Sequence, residues 1–212
     1  MVIVTEFGCN VQTYIKEFKH LCFPRPKVCI HCQAVDLCIG HGYYTRKPLE
    51  QQKAYVIQIK RWLCKGCRCT ISLLPSFLLR HRHYVLEVIQ QVVVARFEKQ
   101  ASWSQVSQRS SEEGAPSERT IKRWSQSFSE HAANWLAVVQ QTLATHDATL
   151  PWLDALGEAT ELRETGAALL QAATQLLAWA KTNWAEVIAY GLDDRLRFLW
   201  HWGHSQGLGR LI

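Results

Sequence analysis

Two C-x-x-C pairs in the first third of a 212-residue chain, strand-forming residues between them, and helical periodicity from Leu78 onward predict the fold class. The expectation is a mainly α protein with a small N-terminal β unit, followed by a helix-turn-helix-like bundle and a helical C-terminal segment. Apolar residues make up 48% and charged residues 20% of the chain, a globular balance that excludes a disordered polypeptide.

Residues 10–21 read as a short helix: Asn10 can cap it, and Val11, Tyr14, Ile15 and Phe18 fall at helical spacing. Phe23-Pro24-Arg25-Pro26 forces an extended stretch, because each proline disfavours helix in the residue before it. Tyr55, Ile57 and Ile59 alternate with Gln58 and Lys60 as in a half-buried strand, and Gly40 to Thr45 suggests a turn running into another strand. From Leu78 the period changes, and Leu86, Ile89, Val93 and Phe97 form one helical stripe. Ser102 and Gln105 have capping-box spacing for a second helix over 102–109. Ser110 to Pro116 breaks the chain, and a third helix starts at Ser117 with Ile121, Trp124, Phe128, Ala132 and Trp135 on one face. Leu162, Leu169, Leu170, Ala173, Leu176 and Leu177 give helical faces to the last segment. The expected domains are residues 1–77, 78–148 and 149–212, with no evident internal repeat.

The eight cysteines all lie between Cys9 and Cys69. No apolar run approaches the roughly 18 residues of a membrane span, and the N-terminus lacks the basic-then-apolar pattern of a secretory signal. A cytoplasmic location is therefore expected, where cysteines are metal ligands or plain buried thiols rather than disulfides. Cys29-Ile30-His31-Cys32 and Cys64-Lys65-Gly66-Cys67 are separated by 31 residues. Each pair can bring two thiolates to about 2.3 Å from one ion, and two pairs supply the four corners of a tetrahedron. Four thiolates saturate zinc. The expected cofactor is thus one structural Zn2+ per chain, held by Cys29, Cys32, Cys64 and Cys67 in a zinc ribbon, a staple that a small β unit needs in order to fold. Neither pair opens a helix after a strand, which argues against thioredoxin-like redox chemistry. Cys69, Cys38, His31 and His41 stay open as substitute ligands. Otherwise Cys9, Cys22, Cys38 and Cys69 read as small thiols without a task.

The net charge of +6 divides unevenly, +9 over residues 1–130 (19 Lys/Arg, 10 Asp/Glu) against −3 over residues 131–212 (5 and 8). The basic part holds the three-helix segment. In its third helix Arg119, Lys122, Arg123 and Gln126 lie off the apolar face, near the N-terminal half where a recognition helix meets base edges. Arg can read guanine and Gln adenine. Arg80 and Arg82, with Arg96, Lys99 and Arg109, are candidate phosphate contacts. Against this, the break is longer than a usual turn and carries Glu112 and Glu113, which repel phosphate. An ordinary helical core with a solvated basic face has the same pattern.

The run Cys64-Lys65-Gly66-Cys67, then Thr70-Ile71-Ser72-Leu73-Leu74-Pro75-Ser76-Phe77-Leu78-Leu79 and Tyr84-Val85-Leu86-Glu87-Val88-Ile89, resembles an uncharacterised bacterial family of domain-of-unknown-function proteins encoded near insertion-sequence and transposase genes. The resemblance covers roughly residues 10–136, and His41-Gly42-Tyr43-Tyr44 and Arg119-Thr120-Ile121-Lys122-Arg123-Trp124 fit its plan. It implies a zinc ribbon, a helix-turn-helix, association with mobile elements and DNA binding. The chain departs from a common ribbon knuckle in placing Gly66 before Cys67 rather than a glycine after it, and in carrying the extra Cys69.

Enzyme signals are weak. No P-loop or H-E-x-x-H is present, and the residues after Leu136 read as helix rather than as a ribonuclease-H-like core with three carboxylates. Gly203-His204-Ser205-Gln206-Gly207 matches G-x-S-x-G, but a nucleophile elbow needs a strand before it and an acid and a histidine after it. Adjacent Asp193 and Asp194 diverge on a helix and read as a solvated pair, and His81 and His83 as phosphate or backbone partners. Trp200 and Trp202 read as tucked onto the helices, with a partner-binding tail as the alternative. The expected function is non-enzymatic: a DNA-binding accessory or regulator of a mobile element acting on double-stranded DNA, without membrane association. A homodimer through the C-terminal helices would fit two half-sites. The alternative is an adaptor recruiting a transposase or another mobile-element protein through the ribbon and the Trp-rich C-terminus.

Overall fold

In a computed structural model, residues 1–50, 53–108, 115–146, 162–185, 187, 190, 191 and 193–212 are described, and the chain divides into two units, Met1–Leu86 and Glu87–Ile212.

The first unit begins with strand β1 (Val2–Thr5) and helix α1 (Val11–Glu17), closed by a 3-10 turn at Phe18–His20. Asn10 caps α1 as its position predicts, its Oδ1 accepting from the Thr13 N–H at 2.9 Å. Strands β2 (Cys38–Arg46), β3 (Leu49–Glu50), β4 (Lys53–Ala54), β5 (Ile57–Cys64) and β6 (Thr70–Pro75) follow. β3 and β4 pair with each other, while the remaining four form one sheet ordered β1-β6-β5-β2. β1 runs parallel to β6, and the β6–β5 and β5–β2 pairs are antiparallel. Ile57 and Ile59 are buried and Gln58 is exposed, the alternation a one-sided strand requires. Gly42, at φ +70°, sits where the β2–β5 register shifts between Gly40 and Tyr43, a bulge that favours glycine.

This sheet corrects the expected fold class. The protein is not mainly α with a small N-terminal zinc ribbon: it combines several helices with a four-stranded mixed sheet whose strands run through residues 38–75 and recruit Val2–Thr5. The cause is non-local. Val2, Ile3 and Val4 are too few to show a period, but they lie in register with Ser72, Leu73 and Leu74 and cover the edge of β6. Helix α1 docks through Tyr14, which is fully buried, donates its hydroxyl to the Gln58 carbonyl at 2.9 Å, and meets Phe7 and Phe77 edge-on at 5.5 Å.

The second unit is helical: α2 (Leu86–Phe97, entering from the boundary), α3 (Trp103–Gln108), α4 (Glu118–His146), α5 (Leu162–Asn183) and α6 (Arg195–Ser205). The expected α2 stripe is buried, as are Ile121, Trp124, Phe128, Ala132 and Trp135 of α4. The capping box at α3 forms in both directions, Ser102 N–H to Gln105 Oε1 at 2.8 Å and Gln105 N–H to Ser102 Oγ at 3.3 Å. Arg109 and the break from Ser110 to Gly114, which would define a helix-turn-helix, lie outside the described residues. Gln90 ties α2 to the start of α6: its side chain accepts from the Leu196 N–H at 2.7 Å and donates to the Asp193 carbonyl. Trp200 and Trp202 are buried within this unit, as the simpler expectation had it. Among the described residues, no helix is long and apolar enough to cross a membrane.

A four-cysteine candidate metal centre

The two C-x-x-C pairs fold into the same eight-residue hairpin. Val28 pairs with Val35 around the first and Leu63 with Thr70 around the second. Inside each, the first cysteine donates its N–H five residues on, Cys29 to Ala34 at 2.9 Å and Cys64 to Cys69 at 3.0 Å. It also accepts from the residue four along, Cys29 from Gln33 and Cys64 from Arg68, both at 2.9 Å. That last residue is left-handed in both turns, at φ 59° for Gln33 and 61° for Arg68. The repeat escaped sequence reading because the two segments share little beyond their cysteines; only the equal spacing to flanking strand-formers signals it.

The hairpins bring their thiols together. Cys29, Cys32, Cys64 and Cys67 have their sulfurs within 4.8 Å of one another, with Cys29 Sγ–Cys67 Sγ and Cys32 Sγ–Cys64 Sγ both at 3.7 Å. Four ligands at about 2.3 Å from one tetrahedral ion lie about 3.8 Å apart, so these separations match such an ion. The four cysteines can hold a metal ion such as zinc. Cys29 and Cys64 are fully buried in a cluster with Cys38 and Ile71, flanked by Ile3, Ala34 and Trp62, while Cys32 is exposed and Cys67 half-buried. Backbone N–H groups of Cys32 and His31 point at Cys29 and hold its thiol below the usual range, favouring the thiolate a metal needs. Burial pushes Cys38 the other way, and it pairs in register with Cys64 without joining the sulfur group. His41 also stays apart, whereas His31 and Cys69 approach Cys67.

The nucleic-acid candidates fall in both units. Arg119, Lys122, Arg123 and Gln126 are all exposed on α4. Lys122 pairs with Glu118 at 2.5 Å and lies 5.9 Å from the Trp103 ring, and Gln126 donates to Glu130 at 2.9 Å. Arg96 instead stacks over Trp103 at 4.3 Å and donates to the Ala101 carbonyl, a packing duty that sequence reading did not foresee. Arg80 and Arg82 belong to the first unit, Arg80 exposed and Arg82 half-buried. Their loop is held by Arg46, whose guanidinium donates to the Leu79 carbonyl at 3.2 Å and to that of Arg82.

Gly203, His204 and Ser205 of the G-x-S-x-G stretch are the last residues of α6 rather than a turn after a strand, and Ser205 Oγ donates to the Trp202 carbonyl at 2.6 Å. Its glycines have structural causes. A Cβ on Gly203 would overlap the Trp135 ring, and Gly207, at φ +74°, follows the helix end where left-handed backbone is wanted.

No curated protein and no solved structure matches the chain significantly. Residues 29–124, from the first cysteine of the sulfur group to Trp124 in α4, match the model of a family described as a domain of unknown function (DUF6431).

Proposed function

We propose that this protein binds double-stranded DNA through the N-terminal half of α4, and that Cys29, Cys32, Cys64 and Cys67 hold one structural zinc that keeps the first unit folded. The observation that carries the DNA reading is the sidedness of α4. Arg119, Lys122, Arg123 and Gln126 are exposed together, while Ile121, Trp124 and Phe128 are at most 2% exposed. That turns three cations and an amide to solvent, where Arg119 and Arg123, with Lys122 and Gln126 in exchange for their Glu118 and Glu130 partners, can meet phosphates and base edges. The zinc would be closed to substrate, since four thiolates fill its coordination. An accessory or regulatory role in a mobile element is the biological setting of this reading, carried by the family resemblance of residues 64–89.

Selection of bound duplexes from a random pool, followed by titration of the enriched sequence at low salt, tests it. Enrichment of one sequence, lost in the Arg119→Ala/Lys122→Ala/Arg123→Ala variant, is expected. An unselected pool, or a variant that binds like the parent, overturns it.

A second reading, an adaptor for a transposase or another protein of the same element, draws on one observation: Val28, Ile30, Val35, Leu37 and Ile39 are large apolar residues exposed on and after the first hairpin. Recruitment that survives the α4 variant but not Val35→Glu would favour it.

A further inference from the structure

His31, Cys67 and Cys69 form another group of ligand atoms, all within 4.8 Å of one another, that shares Cys67 with the four-sulfur group. We propose that these three residues bind a second divalent ion of the zinc class, with the Cys67 thiolate bridging the two ions; this rests on the four-cysteine reading above.

The twin hairpins show that neither added side chain is needed by the turn. The position of His31 in the first hairpin is Gly66 in the second, and that of Cys69 in the second is Ala34 in the first. Ala34 accepts the same backbone hydrogen bond as Cys69, at 2.9 Å against 3.0 Å. An imidazole and a thiol have thus been added to a turn that closes without them, one from each hairpin, and both point toward the same sulfur.

The electrostatics favour a second cation at this place. Four thiolates around one dication leave a net charge of about −2, and a half-buried thiolate among them remains a donor for another ion. Binding there costs one proton, released to solvent from the Cys69 thiol, while His31 ligates as the neutral imidazole. His31 is exposed and Cys67 and Cys69 are half-buried, so an ion reaches the group from solvent. Three protein ligands leave one tetrahedral position for water or a small anion, which makes this ion exchangeable where the first is closed.

Zinc content per chain, measured by elemental analysis of the full-length protein after loading and gel filtration, tests the proposal. Two zinc ions are expected in the parent, one surrendered to a mild chromogenic chelator and one retained. His31→Ala and Cys69→Ser should each halve the content while melting temperature and circular dichroism stay unchanged. Cadmium loading should give two NMR signals, one of all-sulfur and one of mixed nitrogen–sulfur type, with the second lost in either variant. A parent that holds one zinc retained in both variants overturns the second site and leaves the four-cysteine reading standing, whereas one zinc lost in both variants puts the ion on His31, Cys67 and Cys69 and overturns the bridged pair together with the four-cysteine reading. A parent that holds none overturns both.

Discussion

Gln33 and Arg68 share one backbone conformation, left-handed at φ 59° and 61°, each directly after the second cysteine of its hairpin. The turn demands it: only there can the chain reverse and return an N–H to the carbonyl of the first cysteine. For a residue with a Cβ this conformation costs roughly 1–2 kcal/mol, and glycine's greater freedom when unfolded recovers only part of that.

Arg68→Gly is therefore expected to raise the stability of the zinc-loaded protein by roughly 0.5–1 kcal/mol, and Gln33→Gly likewise. Arg68→Val should lower it by at least about 1 kcal/mol, because a β-branched residue tolerates positive φ least. Neither residue is a ligand, so zinc content serves as the control. Urea denaturation measures the order; a glycine variant less stable than the parent would refute the strain assignment.

Removal of the metal should act on the first unit. Cys29 and Cys64 are fully buried and central to its cluster, and binding of a structural zinc is on the order of 10 kcal/mol. Strong chelation, or Cys64→Ser, is expected to expose residues 1–86 to protease while the helical signal of the second unit persists. Cys22→Ser, at an exposed thiol, should change nothing. Limited proteolysis with mass mapping reads the result, and equal resistance with and without chelator would exclude a metal-dependent fold.

The contrast between what was legible in the chain and what was not follows from range. Asn10, Ser102 and Gln105 act within one helical turn, and the α4 stripe repeats every three to four residues, so composition and spacing reveal them. The cysteine pairs are likewise local, and their meeting follows from ligand chemistry. The parallel pairing of Val2–Thr5 with Ser72–Pro75 is set by contacts about seventy residues apart, and no local pattern encodes it. The twinned hairpins hid because backbone hydrogen bonds, not side chains, define them. His31 and Cys69 were visible only as open alternatives, since their approach to Cys67 depends on how the two turns face each other.

Gly203 illustrates how packing can imitate a motif. Trp135 is 1% exposed, anchored by its indole N–H to the Arg210 carbonyl at 3.1 Å, and its ring occupies the place a side chain at 203 would need. Gly203→Ala should cost roughly 1–3 kcal/mol by overpacking. Ser205→Ala should be near neutral, because the bonds of Ser205 are local, a donation to the Trp202 carbonyl and a long acceptance from the neighbouring Gln206 amide. Thermal melts of the two variants separate a packing motif from a nucleophile elbow: a stable Gly203→Ala protein would contradict the close approach.

The exposed cations of α4 should leave a signature in salt. Each phosphate neutralised by a cation releases counterions, so the slope of log affinity against log salt falls by about 0.9 for each phosphate left without its cation. Arg119→Ala and Arg123→Ala are expected to shallow the slope singly and additively. Lys122 is partly neutralised by Glu118 at 2.5 Å, so Lys122→Ala should have a smaller effect. Glu118→Gln should release Lys122 and tighten binding, the opposite direction to any loss of fold. Gln126 is different in kind: an amide releases no counterion, so Gln126→Ala should keep the slope and cost about 1–3 kcal/mol only on the selected sequence. Fluorescence anisotropy over a salt series distinguishes these outcomes. If all of these variants track the parent at every salt concentration, α4 is a solvated basic face and not a DNA-reading helix.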